Sequence, residues 1–257
     1  MKIFNKKWFN LTEIRWIGFI VKKVNHLLSG YKNKEYKNML LMDSNKQRFS
    51  EIYRKNFWSS SESGSGKGSE LEYTKSIRDW LIKICPKYNV KSFLDAACGD
   101  FNWMRLVVSH LDIEYTGMDI VDDVIDQNIA QYADSKISFV TADICNDPLP
   151  DCDLLMIRDC LFHLSFSDID NFFLNLSKTN YKFLVTTTHI LSDTHVNHDV
   201  ISGDFRNIDL FKPPFNFQEK DIVERCNDYI SGFTPREMIL VAKENVPNFL
   251  KGKILNA

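Results

Sequence analysis

Three carboxylates, Asp95, Asp119 and Asp143, close successive apolar runs that recur at roughly twenty-residue intervals, and a fourth, Asp159, ends the next one. A carboxylate at such a position repels a pyrophosphate but suits a cationic, amino-bearing ligand. Asp95 is the first candidate for that contact. At the end of a second strand, a carboxylate accepts both hydroxyls of a ribose, the role expected of Asp119 beside Ile120. Asp143 is placed to meet an adenine amino group, with Ile144 against the ring. The plainer reading of each acid is a helix N-cap, where acids are common. Four in register favour a ligand.

These carboxylates need strands and tight turns to hold them. Ser92–Phe101 runs from the apolar pair Phe93-Leu94 through Asp95 and the small residues Ala96, Ala97 and Cys98 to Gly99, then into the amphipathic Trp103–Val107. That is a strand, a turn and a helix at the carboxyl end of a parallel sheet, where open α/β folds bind ligands. Small residues such as Ala97 and Gly99 let a backbone approach a ligand closely. The three-glycine G-x-G-x-x-G turn of a dinucleotide site is missing. Ile113–Ile120, Ile137–Ile144 and Asp153–Asp159 read as the second, third and fourth strands. The turn signal Pro148-Leu149-Pro150 precedes the last of them.

The stretch FLDAACGDF resembles the first motif of class I methyltransferases, whose S-adenosylmethionine (SAM) site needs this chemistry. The series FSEIYRKNFW, SESGSGKGS, SFLDAACGDFNWM, LLMIRDCLFHLS, FLVTTTH and GDFRNIDLFKPPFNF is similar to a family of bacterial class I methyltransferases associated with capsule and surface-polysaccharide biosynthesis. The resemblance runs from about Arg48 to Asp221. It implies a Rossmann-like α/β fold, a seven-stranded sheet with helices on both faces and a last strand antiparallel to the rest. Phe183–Thr188 would be the fifth strand and Met238–Ala242 the last. Cofactor contacts are expected from Asp95, Ala97, Gly99, Asp119, Ile120, Asp143, Ile144, Arg158, Trp58 and Ser63. Acceptor contacts are expected from Trp103, Asp204 and Arg206.

Methyl transfer to a hydroxyl is an in-line displacement on a sulfonium that needs a positioned acceptor oxygen and a base for its proton. Histidine suits that base. His163 and His189 are the candidates, with Asp159, four residues before His163, available to orient its ring if the segment is helical. Both histidines also admit a structural role. Asp159, His163 and His189 would alternatively gather a divalent metal, with His195, His198 or Asp199 contributing, although the spacing is no metal signature. Arg158 and Arg206 suit an anionic acceptor such as a sugar phosphate or nucleotide-linked sugar. Residues 192–214 have the length of a substrate-binding loop. Alternatives to O-methylation are transfer to nitrogen or to a phosphoryl-derived oxygen of a small phosphorylated metabolite, and a non-catalytic SAM-binding subunit.

Composition bounds the remaining choices. The 257 residues carry a net charge of −2, and their number fits one α/β domain with an appendage. Six cysteines without metal or disulfide spacing read as buried thiols in a reducing compartment, and no apolar stretch approaches a membrane span. The expected address is the cytoplasm. Residues 1–45 hold nine Lys/Arg against three acids, a net +6. Within them Leu11, Ile14, Ile17, Val21, Val24 and Leu28 recur at helical spacing and Gly30 follows. This arm is read as a helix packing on the core or a second subunit, or lying on the inner face of an anionic membrane. The acidic body, 46–257, argues against a nucleic-acid partner. Residues 59–69, rich in Ser and Gly, have a linker's composition and the position of a lid over the cofactor. They are not a phosphate loop, because Gly68 rather than Ser or Thr follows Lys67.

Overall fold

The computed structural model describes residues 34–247. Residues 42–247 lie in one compact unit, and 34–41 are assigned to a separate N-terminal one. The amphipathic reading of Leu11–Leu28 lies outside the described residues. In chain order the larger unit contains α1 (Asn45–Arg54), α2 (Lys75–Lys87), β1 (Ser92–Ala96), α3 (Met104–Val108), β2 (Glu114–Asp119) and α4 (Asp122–Tyr132). There follow β3 (Ile137–Thr141), β4 (Leu154–Ile157), α5 (Phe166–Leu176), β5 (Phe183–His189), β6 (Ile222–Asn227) and β7 (Arg236–Ala242).

The strands form one seven-stranded sheet in the order β3-β2-β1-β4-β5-β7-β6. Strands β1 to β5 pair in parallel, and β7 runs antiparallel to both β5 and β6. The order reverses between β1 and β4, the switch point where such sheets open a crevice beyond their carboxyl ends.

Side-chain alternation along each strand splits the core into two layers. Leu94, Leu155, Ile157, Leu184 and Ile239 face one side, where α5 contributes Ile169, Phe172, Phe173 and Leu176 at helical spacing. Phe93, Leu154, Met156, Val185 and Leu240 face the other, against Ile77, Leu81 and Ile84 of α2 and Met104 and Val107 of α3. All four residues of β4 are buried, as a parallel strand covered on both faces requires. Serine caps set two helix starts: Ser44 and Gln47 form a capping box on α1, and Ser165 Oγ accepts the Asp168 N–H on α5. All six cysteines are free, and no helix among the described residues is long and apolar enough to cross a membrane.

Strand β6 goes beyond the sequence reading. It is a polar edge strand whose residues are half-buried or exposed apart from Cys226, so it lacks an apolar run.

Candidate active site at the carboxyl ends of the strands

Gly99 shapes the turn after β1. Its φ is +56°, and a Cβ there would lie 2.1 Å from Ser65 Oγ; both constraints demand glycine. The turn is tied to β2 because the Ala97 and Cys98 N–H groups both donate to the Met118 carbonyl at 2.8 Å. The Gly99 N–H donates to Asp119 Oδ2 at 3.0 Å and the Val121 N–H to Asp119 Oδ1 at 3.1 Å. Burial raises the Asp119 pKa, against the lowering effect of these backbone donors. Asp95 is buried, and desolvation pushes its pKa up to about 7 although the Tyr115 hydroxyl donates to it at 2.9 Å.

A cavity of about 270 Å³ opens over these ends. Its lining combines Asp95, Ala97, Gly99 and Asp119 with Trp58, Trp103, Phe162, His163, Phe205 and Phe233. A smaller chamber of about 60 Å³ shares Ala97, Asp119 and Cys160 with it and adds Ile120, Asp143 and Ile144. Asp143 is partly engaged: Oδ1 accepts the Cys145 N–H at 2.9 Å and Oδ2 the Asn146 amide at 2.7 Å.

These residues fit SAM. A carboxylate offers about four acceptor positions, and two backbone donors leave Asp119 room for a pair of sugar hydroxyls. Ile120 and Ile144 give the smaller chamber apolar walls, and buried Asp95 puts a carboxylate on the larger one.

Imidazole placement separates the two histidines. His163 Nδ1 stands 2.8 Å from the Asp204 carbonyl. A carbonyl only accepts, so Nδ1 carries the proton and Nε2 keeps its lone pair. Desolvation lowers the His163 pKa, favouring the neutral ring. The expected helical spacing from Asp159 fails. Asp159 has φ +54°, only Leu161–His163 forms a short 3-10 turn, and the backbone of Asp204 replaces Asp159 as the ring's orienting group. His189 is buried behind Phe162, whose ring centroid is 5.2 Å from its own, and does not line the cavity. Its Nδ1 is engaged by the Ile208 backbone, and burial pushes its pKa down to about 4. This corrects the expectation of two candidate bases.

Both arginines are also placed differently from the expectation. Arg158 lines the cavity, but its Nε and Nη2 donate to Asp228 at 3.1 and 2.9 Å and its Nη1 to the Gly68 carbonyl at 2.9 Å. Its guanidinium lies 5.3 Å from the Trp103 ring centroid. Asp159 Oδ2 pairs with Arg236 at 2.9 Å and Arg158 at 3.4 Å. The floor is therefore a compensated network of two arginines and two aspartates. Arg206 does not line the cavity: it is 2% exposed, bonds the Leu164 carbonyl and lies over Phe166. Arg158 is thus already paired, and Arg206, although its Nε and Nη2 have no hydrogen-bond partner, is buried away from the cavity, so neither meets an acceptor phosphate there.

Ser63 is buried and bonds Asp100 rather than the cavity. Residues 192–214 contain no helix or strand and give the cavity Phe205 alone; the Asp204 side chain accepts its neighbour's N–H instead. Among the described residues, no three His, Cys, Asp or Glu side chains are grouped to hold a metal ion. Lining residues that sequence reasoning missed include Lys67, Phe162, Phe205, Phe233 and Arg236, together with Asp228, which pairs with Arg158 beneath them.

Residues 93–179 match the family described as a methyltransferase domain. No curated protein matches the chain. Among solved structures, the N-methyltransferase NodS from Bradyrhizobium japonicum WM9, in complex with S-adenosyl-L-homocysteine (SAH), aligns with a TM-score of 0.55 at 14% identity. That alignment covers 80% of this chain and all of that one. A SAM-dependent methyltransferase from Leishmania major aligns with 0.56 at 12% identity, covering 82% and 90%. The magnesium protoporphyrin IX methyltransferase of Synechocystis PCC 6803 with bound SAH gives 0.54 at 10%, covering 77% and 99%. At such identities the likeness is one of fold. Joined to the family match and to a cavity built on acid-ended strands, it makes this chain a SAM-dependent methyltransferase of the class I fold.

Proposed function

We propose that this methyltransferase acts on a hydroxyl of a ring-bearing, anionic small molecule, with nucleotide-linked sugars and other precursors of bacterial capsular or surface polysaccharide as the acceptor class. The observation that carries the reading is the shared cavity: His163, with Nδ1 bonded to the Asp204 carbonyl, lines the same space as Asp95 and Asp119.

SAM supplies, when bound, a methyl group on a sulfonium that a positioned nucleophile attacks in line. The chain's own residues do the rest. Asp119 takes the ribose hydroxyls, Asp143 the adenine amino group, and Ile120 and Ile144 flank the ring. Asp95 accepts the ammonium. Trp58 stays among the expected cofactor contacts, and on the acceptor side the faces of Phe205 and Phe233 offer stacking for a sugar or base. His163 Nε2 takes the hydroxyl proton as the oxygen becomes a nucleophile.

Anion recognition moves from the arginines to Lys67. This lining residue is exposed and, among the described residues, makes no ion pair, whereas Arg158 and Arg236 are neutralised by Asp159 and Asp228. The basic segment 1–45 would suit a cytoplasmic enzyme that visits an anionic membrane face or a second copy.

Methyl-labelled SAM, incubated with a panel of nucleotide sugars and their unphosphorylated counterparts, tests the reading. Label in a hydroxyl ether of the phosphorylated members is expected. Label only in amines, or equally in the uncharged sugars, would reject it.

A further inference from the structure

The loop 59–69 has the composition of a flexible linker, yet one carboxylate holds it to the sheet. We propose that Asp100 is a positioning residue: its bonds to this loop keep the wall of the cavity closed and so retain the cofactor. The proposal rests on Asp95 and Asp119 forming the SAM chamber and goes beyond it to what controls exit.

Asp100 gathers the loop's polar groups. Ser63 Oγ donates to its two oxygens at 3.0 and 2.8 Å, the Gly64 N–H donates to Oδ2 at 2.9 Å, and Ser65 Oγ donates to Oδ1 at 3.3 Å. The Asp100 N–H returns a bond to Ser65 Oγ at 3.1 Å. Hydrogen bonds to a charged acceptor are stronger than neutral ones, so this knot is the loop's principal anchor. Other ties hold the loop as well: Asn102 Nδ2 donates to Glu62 Oε1, next to the knot, and to the Ser69 carbonyl at the far end, where Arg158 also donates to the Gly68 carbonyl. Gly68 has no room for a side chain there, since a Cβ would lie 2.4 Å from Asp159 Oδ2.

Position gives the knot its consequence. Asp100 adjoins Gly99, whose N–H binds Asp119, the carboxylate assigned to the ribose. On the other side of the knot, Ser65, Gly66, Lys67, Gly68 and Ser69 line the cavity. Cutting the bonds at Asp100 therefore frees the wall directly beside the ribose contact without touching the cavity's acids.

The test uses the full chain with SAH as the probe. The dissociation rate is measured by stopped-flow displacement and the amide exchange of residues 59–69 by mass spectrometry. Asp100→Ala is expected to speed SAH dissociation at least tenfold and to accelerate exchange in the loop, with little change in the association rate or in the melting temperature of the free protein. The double variant Ser63→Ala/Ser65→Ala removes every one of these bonds except that of the Gly64 N–H and is expected to speed dissociation and loop exchange in the same direction by at least threefold, which covers a failure of Asp100→Ala to fold. Asp100→Asn, which keeps one acceptor oxygen, should fall between. A freed loop with an unchanged dissociation rate, or a lowered melting temperature as the only effect, overturns the proposal. Failure of the wild-type chain to bind SAH overturns the cofactor chamber itself.

Discussion

Replacing Asp119 by alanine should weaken SAH binding by one to two orders of magnitude. Its carboxylate already accepts the Gly99 and Val121 N–H groups at 3.0 and 3.1 Å, and the ribose hydroxyls add two charge-assisted bonds of about 1.5–3 kcal/mol each. Their combined loss is at least about 3 kcal/mol, or roughly a hundredfold. Water admitted to the space recovers part of this, leaving a floor near tenfold. Burial raises the Asp119 pKa, so wild-type affinity should begin to fall with acidification at a higher pH than for an exposed carboxylate. Calorimetry with SAH gives the affinities, and melting temperatures show whether Gly99 keeps its turn. Affinity within twofold of wild type, in a variant that melts normally, would refute the ribose assignment.

Other consequences concern protons and buried charge. Desolvation holds the Asp95 pKa up to about 7, and a ligand ammonium would lower it. SAH binding at pH 6 should then release about one proton, read from calorimetry in buffers of different ionisation enthalpy, and Asp95→Asn should abolish the release. His189, depressed to about 4 from an unfolded value near 6.5, stabilises the fold fully above pH 6.5. That contribution, about 3 kcal/mol, is lost as pH falls to 4, so His189→Gln should flatten the acid limb of a urea-stability profile. Removing Asp228 leaves two buried arginines sharing Asp159 alone; Asp228→Ala should cost about 3–5 kcal/mol in the same assay, and a loss below about 1 kcal/mol would mean that the network is not what compensates Arg158.

Legibility followed sequence distance. Strands β1 to β4 show in the sequence as short apolar runs closed by acids, even where, as in β3, only one residue is fully buried, whereas β5 and β7 were expected from the family resemblance. Strand β6 exposes alternate residues along its length, so its sequence reads as loop. The partners that decide side-chain roles lie far along the chain: Asp228 is 70 residues from Arg158, and Asp100 is 37 from Ser63. Without them Arg158 reads as a free phosphate ligand and the serine-rich loop as a linker. The spacing of Asp159 and His163 misleads for a local reason: a positive φ at Asp159 breaks the helix that the argument required. His189 ends a strand, as expected, but Phe162 stands on the cavity side of it.

In the proposed reaction a neutral His163 takes the acceptor's proton beside bound SAM. The most direct test of that step is the pH dependence of label transfer from SAM to the acceptor found in the sugar panel, for wild type and His163→Ala. Because burial lowers the His163 pKa, wild-type kcat should stay high through neutrality and fall only below the ordinary histidine value near 6.5. His163→Ala should lower kcat by ~10²–10⁴-fold, leave the KM for SAM unchanged and recover partly at high pH, where the acceptor ionises unaided. Near-normal turnover in His163→Ala, with the wild-type pH profile, would contradict it.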